Sequence, residues 1–269
     1  MSMLQKGLIV CLALAPIVSM AQASSRDLRA VQVQPEAWQI VMLANQARAE
    51  AGAGPLQTGP LQAGPLQWDP ALAAAARQHC LRMAAEGPIA HRYGGEPDVA
   101  GRASQAGAHF SVIEENVAIG PSPAAIHSSW MHSPGHRANL LSPDVDRVGV
   151  AVVASRGVLY AVADYERSVP ALTQTQVEAS IAELLRGSGV DLTGDPSDAR
   201  ASCVQGSLAK TSRQPGFLML WQGAELNRLP GALVDRISSG RYHRAAVGSC
   251  PPDVAENSFT AYRVAVLLY

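Results

Sequence analysis

The sequence predicts an α+β fold in which helices cover both faces of a small β-sheet, followed by a small C-terminal α/β unit. Apolar residues recur at helical spacing in the first half of the chain. At Val148 the period changes to two, and the hairpin that begins there is apolar on both faces. A sheet without a polar face needs a helical layer on each side. A further helix and further strands after Pro170 predict the C-terminal unit.

Composition excludes some classes of protein. The chain has 269 residues, of which 48% are hydrophobic and 16% charged, a balance typical of a folded protein of one or two domains. The formal net charge of -1 argues against a dedicated nucleic-acid binder, which needs a basic surface.

Residues 1–23 resemble an export signal. Lys6 supplies a positive charge, Gly7 to Met20 is almost entirely apolar, and Ala21-Gln22-Ala23 fits the small-x-small cleavage pattern. We expect cleavage after Ala23, a secreted or periplasmic location, and no transmembrane segment in the mature chain. An uncleaved membrane anchor is the alternative, but the apolar run is short for a membrane span.

Residues 24–35 are predicted to be an N-terminal tail, and a helix is predicted from Pro35 to about Ala51. A tandem repeat follows, in which Gly-Pro-Leu-Gln begins at Gly54, Gly59 and Gly64. Three units of about five residues cannot build a repeat core of their own. They predict an expanded surface loop. Only the last Gly-Pro-Leu-Gln copy is expected to pack tightly against the fold.

Four further helices are predicted between the repeat and the hairpin. The first begins at Asp69-Pro70, a good N-cap and first-turn pair, and ends near Glu86. Its predicted buried stripe is Leu72, Ala76, Cys80 and Met83. The other three are predicted over Asp98 to Gln105, Ser122 to about His132, and Ser133 to about Leu141.

The C-terminal unit is predicted over residues 174–269. Gln174 to Arg186 has the apolar spacing of a helix, and Gly187 to Arg200 is rich in Gly, Asp and Ser and predicts a loop. The remaining predicted elements are a short apolar run at Phe217 to Trp221, a helix over Glu225 to Ile237, and pairing strands at Tyr242 to Gly248 and Thr260 to Tyr269.

Cleavage of the signal removes Cys11 and leaves three cysteines. Cys203 and Cys250 flank a compact segment of the C-terminal unit, and we predict a disulfide between them, which an oxidising compartment permits. Cys80 lies in a helical, Ala-rich stretch and is predicted to be a small buried hydrophobic residue.

His132 and His136 have the i, i+4 spacing of two zinc ligands on one helix. Ser133-Pro134 between them is a natural helix start, so His132 is expected to lie outside the helix that carries His136. No Glu follows His132, so the metalloprotease signature is absent.

Five segments, taken in order, resemble the bacterial branch of the CAP superfamily, the cysteine-rich secretory, antigen 5 and pathogenesis-related 1 type, or SCP domain. They are Leu66 to Leu72 at the start of a helix, His91 in a short loop, Glu115-Asn116 after a turn, Trp130 to Leu141 with its Ser-Pro-Gly-His-Arg motif, and the valine hairpin. The resemblance covers residues 36–166. It implies a three-layer α-β-α sandwich with a small antiparallel sheet, which agrees with the apolar hairpin.

The resemblance also implies a cavity lined by two histidines and two acidic residues. Carried over, His91 is the first histidine, Glu115 the first acid and His136 the second histidine, whereas Ser133 stands where the second acid falls. Zn²⁺ held by His91 and His136 is the metal that this set would accept, and a calcium site is not supported by so few carboxylates.

Each of these residues also has a purely structural interpretation. His91 can cap a loop, Glu115 can accept backbone hydrogen bonds, and Asn116 can stabilise a turn. His136 can be a structural histidine near a helix start, and His127 and His132 have no counterpart in the family pattern. The family pattern, taken as a whole, favours a shared polar cavity.

Two functions are compatible with the sequence. The first is an exported binding or interaction module whose cavity takes an unknown small ligand, lipid or protein. The alternative is a metal-dependent hydrolase, such as a protease, with His91 and His136 as ligands and Glu115 as base. No Gly-x-Ser-x-Gly nucleophile motif is present, and the binding module is preferred.

Overall fold

A computed structural model describes residues 34–52, 64–251 and 259–269. The predicted signal peptide, nearly all of the predicted N-terminal tail and the first two repeat copies lie outside the described residues. The described residues from Gln34 to Tyr269 cluster into one compact unit. Within these residues, no helix combines the length and the apolar character that crossing a membrane requires.

Helices and strands are interspersed along the chain. The helices are α1 (Pro35–Gly52), α2 (Pro70–Glu86), α3 (Val99–Gln105), α4 (Pro123–His132), α5 (Pro134–Leu141), α6 (Gln174–Gly187), α7 (Pro196–Gln205) and α8 (Gly231–Ser238). The strands are β1 (Gln67–Trp68), β2 (Phe110–Gly120), β3 (Arg147–Ser155), β4 (Val158–Ser168), β5 (Phe217–Gly223), β6 (Ala245–Cys250) and β7 (Tyr262–Leu268).

The first sheet has the strand order β1-β3-β4-β2. Its antiparallel part contains the predicted hairpin of β3 and β4, which turns at Arg156 and Gly157, both with positive φ. The short strand β1 pairs with β3 in parallel, so the sheet is mixed rather than wholly antiparallel. Strand β2 forms the opposite edge.

Helices cover both faces of this sheet. On one face, Val148, Val150 and Val152 share an apolar core with residues of α1, α4 and α5, including the fully buried Trp130. On the other face, α2 packs its buried stripe against the alternate residues of the sheet. The three-layer α-β-α sandwich is therefore confirmed, and its two cores come from the two-residue alternation of the strands.

Helix α2 lies unusually close to the sheet at one point. Asp69 caps its start by accepting hydrogen bonds from the N–H groups of Ala71 and Leu72. Opposite this first turn lies Gly149 of β3, where an added Cβ would come within 2.1 Å of the backbone nitrogen of Ala73. Only glycine at position 149 allows α2 to pack this closely against β3.

Strand β2 is the main difference from the sequence-based expectation. Glu115 and Asn116 were expected to follow a turn, but they lie within an 11-residue strand that pairs with β4. The expectation was wrong because three polar residues, Glu114 to Asn116, interrupt the apolar pattern of this strand. Pairing with the apolar strand β4 decides the structure here instead of local sequence.

The last copy of the repeat is fixed at its end. Leu66 is buried, and its backbone N–H and C=O bond to the Asn45 amide of α1 at 2.7 and 3.1 Å. The Arg48 guanidinium of the same helix donates to the carbonyl of Gly64 at 2.6 Å. These bonds hold the chain where it enters β1.

The C-terminal part contains a second sheet of strand order β5-β7-β6. One face packs against α6 and α8, and the other packs against α7. The predicted loop from Gly187 to Arg200 is wrong in its second half, because Asp195 and Pro196 start α7. The predicted helix from Glu225 forms only from Gly231, after Pro230.

Cys203 of α7 and Cys250 of β6 form the predicted disulfide, with their Cα atoms 5.8 Å apart. Cys80 is a buried free thiol, as predicted, and donates to the carbonyl of Tyr160 at 3.2 Å. Burial raises the pKa of the Cys80 thiol to about 12, so the thiolate is scarce at neutral pH.

The two sheets are joined close to the start of β2. The N–H of Thr260, which precedes β7, donates to the carbonyl of Phe110 at the start of β2, at 2.7 Å. The rings of Phe110 and Phe259 meet edge to face with centroids 5.2 Å apart. The predicted boundary between the domain of residues 36–166 and the C-terminal unit of residues 174–269 stays a prediction.

Candidate functional site

The polar residues of interest lie at the edge strand β2, on the face covered by α2 and α3. Glu115 lies on β2, Arg102 on α3, and His91 in the loop that joins α2 to α3. The side chain of Glu115 is 3% exposed, whereas that of His91 is 60% exposed. A buried carboxylate therefore lies directly behind an exposed imidazole.

Both oxygens of Glu115 have cationic or polar donors. The His91 Nδ1 donates to Oε1 at 2.8 Å, and the Arg102 guanidinium forms an ion pair with Oε2. Arg102 also donates to the carbonyls of His91 and Pro97, at 3.2 and 3.0 Å. One guanidinium thus holds both the carboxylate and the loop that carries His91.

A second buried pair anchors the same loop. The His79 Nδ1 lies 2.8 Å from Oε1 of Glu96, and its Nε2 lies 2.8 Å from the carbonyl of Ala90. Glu96 also accepts from the backbone N–H of Tyr93 at 3.0 Å. His79 and Glu96 are both buried. They fix the loop on each side of His91 without reaching the surface.

Sequence reasoning missed His79, Glu96 and Arg102. One signal was available: His79 occupies a helical-face position between the buried residues Ala76 and Met83. A histidine in such an apolar stripe needs a buried partner. The identity of that partner, and the role of Arg102, depend on how the loop folds back.

Helix α5 closes the other side of β2. The Asn116 amide donates to the carbonyl of His136 at 2.9 Å. The Asn139 amide donates to the Glu115 carbonyl at 3.2 Å and to the Asn116 side-chain oxygen at 3.1 Å. These bonds place His136 beside the strand that carries Glu115.

The pKa values of the two imidazoles are shifted in opposite directions. The hydrogen bond to Glu115 raises the pKa of His91 above its ordinary value. Burial lowers the pKa of His136, and the charge of His91 lowers it further. His91 and Glu115 are in direct contact, and His136 lies within electrostatic reach of His91.

The other histidines of this region lie apart from these contacts. His127 is half-buried on α4, and burial lowers its pKa. His132 is exposed, and its Nδ1 donates to the carbonyl of Ser128 within the same helix at 2.7 Å. Ser133 separates α4 from α5, but its side chain makes no capping hydrogen bond.

The described arrangement does not fit a resident zinc ion. No three His, Cys, Asp or Glu side chains among the described residues are grouped so that they would hold a metal. The carboxylate of Glu115 is already neutralised by Arg102, whose positive charge opposes a cation at the same oxygens. The expected zinc pair of His91 and His136 therefore lacks a third protein ligand.

These features define a class: a small α-β-α sandwich with a His/Glu site at its edge strand. The sequence model of the cysteine-rich secretory protein family, CAP, matches residues 41–165. This central part of the chain is thus similar to the CAP family. The matched range runs from α1 to β4 and includes His91, Glu115 and His136.

The similarities to individual proteins are moderate in extent. The uncharacterized protein YkwD of Bacillus subtilis (strain 168) is 29% identical over 123 residues, which are 44% of this chain and 43% of that protein. The chain thus matches less than half of the length of this relative.

Two bacterial structures each match 51% of this chain with a TM-score of 0.43. An outer surface protein from Borrelia burgdorferi is 16% identical, and 96% of it is covered. An extracellular protein containing a SCP domain from Bacillus anthracis is 22% identical, and 45% of it is covered.

Proposed function

We propose that the chain is an exported binding module and that its CAP domain recognises a ligand through the exposed ring of His91. The observation that carries the proposal is the pairing of this ring with Glu115. The carboxylate fixes Nδ1 at 2.8 Å, and the described part of the chain offers no hydrogen-bond partner to Nε2. When the ring is protonated, its Nε2–H is directed away from Glu115 and is available to a ligand.

The favoured ligand group is an anionic hydrogen-bond acceptor, such as a carboxylate or a phosphate group. The hydrogen bond to Glu115 raises the pKa of His91, so the ring carries a positive charge over a wider pH range than a free histidine. A charged N–H forms stronger hydrogen bonds with anions than with neutral acceptors. A small ligand, a lipid headgroup or a peptide carboxylate would offer this group.

The binding test is an NMR titration of the histidine ring protons with acetate and, separately, with inorganic phosphate at pH 6. We expect saturable shifts of the His91 ring protons and of the backbone amides around it, and no saturable amide shifts in His91→Gln. The matched control is His132→Gln, which changes an exposed ring bonded only within α4. Equal binding by the His91→Gln variant, or no saturation in the native protein, would reject the proposal.

Export is tested on the mature protein from the native host. We expect its N-terminus at Ser24, outside the cytoplasm. A chain that begins at Met1 in the cytoplasm would contradict the export part of the proposal and would leave the binding test unaffected.

The metal-dependent hydrolase is the less favoured function, because the described residues supply no third ligand and Arg102 is held against Glu115. Metal analysis and turnover with and without a chelator decide between the two. Chelator-sensitive turnover that is lost in a His91→Ala/His136→Ala variant would favour the hydrolase over the binding module.

A further inference from the structure

Asp164 is a buried carboxyl group directly behind the contact between His91 and Glu115. It lies on β4, the central strand next to β2, and pairs in register with Glu115. It is fully buried, and neither of its oxygens has a hydrogen-bond donor among the N–H and O–H groups of the described residues. An ionised carboxylate without donors is among the most unfavourable groups to bury.

The residues around Asp164 indicate how its buried carboxyl group is stabilised. On the other side of β4, the residue in register is Gly149, which has no side chain. Helix α2 above it contributes Cys80, a thiol already bonded to a backbone carbonyl. On the β2 side Glu115 is the directly opposite residue on the same face of the sheet, which makes its carboxyl group the neighbour of Asp164.

Two carboxyl groups share a hydrogen bond only when one of them carries a proton. Glu115 already accepts from His91 and Arg102, and both bonds favour its charged form. Asp164 has no such donor, although Arg102 lies close enough to act on it electrostatically. The proton therefore belongs on Asp164.

We propose that Asp164 is a positioning residue: it is a neutral carboxylic acid that donates a hydrogen bond to Glu115 and holds that carboxylate toward His91 and Arg102. Glu115 then receives three donors from three elements of the fold. Burial and the neighbouring charge of Glu115 both raise the pKa of Asp164, which agrees with a protonated carboxyl group at this position.

The charge of Asp164 determines the charge of the ligand site. A neutral Asp164 adds no negative charge to the cluster of His91, Arg102, Glu115 and Glu96, in which Glu96 lies 4.0 Å from Arg102. An ionised Asp164 would add a negative charge behind His91 and weaken the attraction for an anion. This consequence for ligand recognition depends on the proposed function, whereas the protonation of Asp164 does not.

The test is infrared spectroscopy of the carboxyl groups in the full mature chain at pH 7. A neutral acid has a C=O stretch that a carboxylate lacks, so its band reports the proton directly. The measurements use a Glu166→Gln background, because the pKa of Glu166 is raised to about 8 and would add a second band. We expect a band of a buried acid that disappears in the additional Asp164→Asn variant.

The second readout is the pH titration of the His91 ring by NMR in the same two proteins. An asparagine amide still donates to Glu115 and is also neutral, so we expect the pKa of His91 to stay the same. Loss of an ionised neighbour would instead lower it. A lower pKa of His91 in Asp164→Asn, or no acid band at position 164, would overturn the proposal.

These outcomes are independent of ligand binding. If the Asp164→Asn variant does not fold, the infrared band of the Glu166→Gln protein, with aspartate carboxyl groups isotope-labelled, still decides whether a buried aspartic acid is protonated. Failure of acetate and phosphate to bind would reject the proposed function and leave the assignment of Asp164 standing.

Discussion

Arg102 and Glu115 form an ion pair that is buried on both sides, with side chains 2% and 3% exposed. Burial of two charges is favourable only when the geometry is good and the remaining polar atoms are bonded. Here the guanidinium also bonds the carbonyls of His91 and Pro97, whereas its Nε has no hydrogen-bond partner among the described residues. The pair ties β2, α3 and the His91 loop together. The fold and the site therefore depend on the same contact.

Replacement of Arg102 by Met is expected to lower the free energy of unfolding by about 3 to 5 kcal/mol, because Glu115 stays buried without its counter-charge. Chemical denaturation at pH 7 measures this change. The matched control is Arg137→Met on α5, an exposed residue with no ion pair among the described residues. A similar small effect of both substitutions would show that the buried pair contributes little.

Glu166 is expected to make stability depend on pH. Burial and the nearby charge of Asp69 raise its pKa to about 8, whereas an unfolded glutamate titrates near pH 4.3. The folded state thus favours the neutral form. Its contribution is complete below about pH 4 and is lost as the pH rises through about 8.

Glu166→Gln should therefore unfold less readily than the native protein at pH 8.5, by on the order of a few kcal/mol, and differ little at pH 4.5. Denaturation midpoints across this range measure the difference. Glu183→Gln, an exposed change on α6, is the control and should leave the pH profile unchanged. Parallel profiles for native protein and Glu166→Gln would contradict the raised pKa.

Gly149→Ala is expected to destabilise the sandwich by about 3 kcal/mol or more, because the added Cβ would overlap the backbone of α2. Gly187→Ala at the end of α6 is the control, since no heavy atom lies within 4 Å of its added Cβ. Thermal unfolding should show a large loss for the first variant and no loss for the second. Equal melting temperatures would mean that α2 shifts without cost.

Reduction of the disulfide between Cys203 and Cys250 should lower the free energy of unfolding by about 4 kcal/mol. The bond closes a segment with a sequence separation of 47, which restricts the unfolded chain. Denaturation with and without reductant measures the loss, and a Cys80→Ala variant should show the same loss. A denaturation midpoint that is insensitive to reductant would reject this stabilisation.

The sequence predicts the sandwich well where local patterns agree with the fold. Helix α2 has a cap, a Pro in its first turn and an apolar stripe, and the hairpin of β3 and β4 alternates apolar residues. Strand β2 was missed because Glu114 to Asn116 interrupt that alternation. Helix α7 was missed because its buried apolar residues are only Ala199 and Cys203.

The site was predictable only in part. Family resemblance singled out His91 and Glu115, and the structure brings them into contact. Arg102 and Asp164 carry no local signal, since one lies on a short helix and the other on an apolar strand. Their importance arises from strand register and loop packing, which link residues far apart in the chain.

The Asn45 amide and the Leu66 backbone fix the end of the segment that contains the Gly-Pro-Leu-Gln units. A loop closed between fixed ends becomes less favourable only slowly with length, by about 0.6 kcal/mol for each doubling. Selection for stability therefore sets little limit on the copy number. Variants that gain or lose one Gly-Pro-Leu-Gln copy are therefore expected to keep the same sandwich.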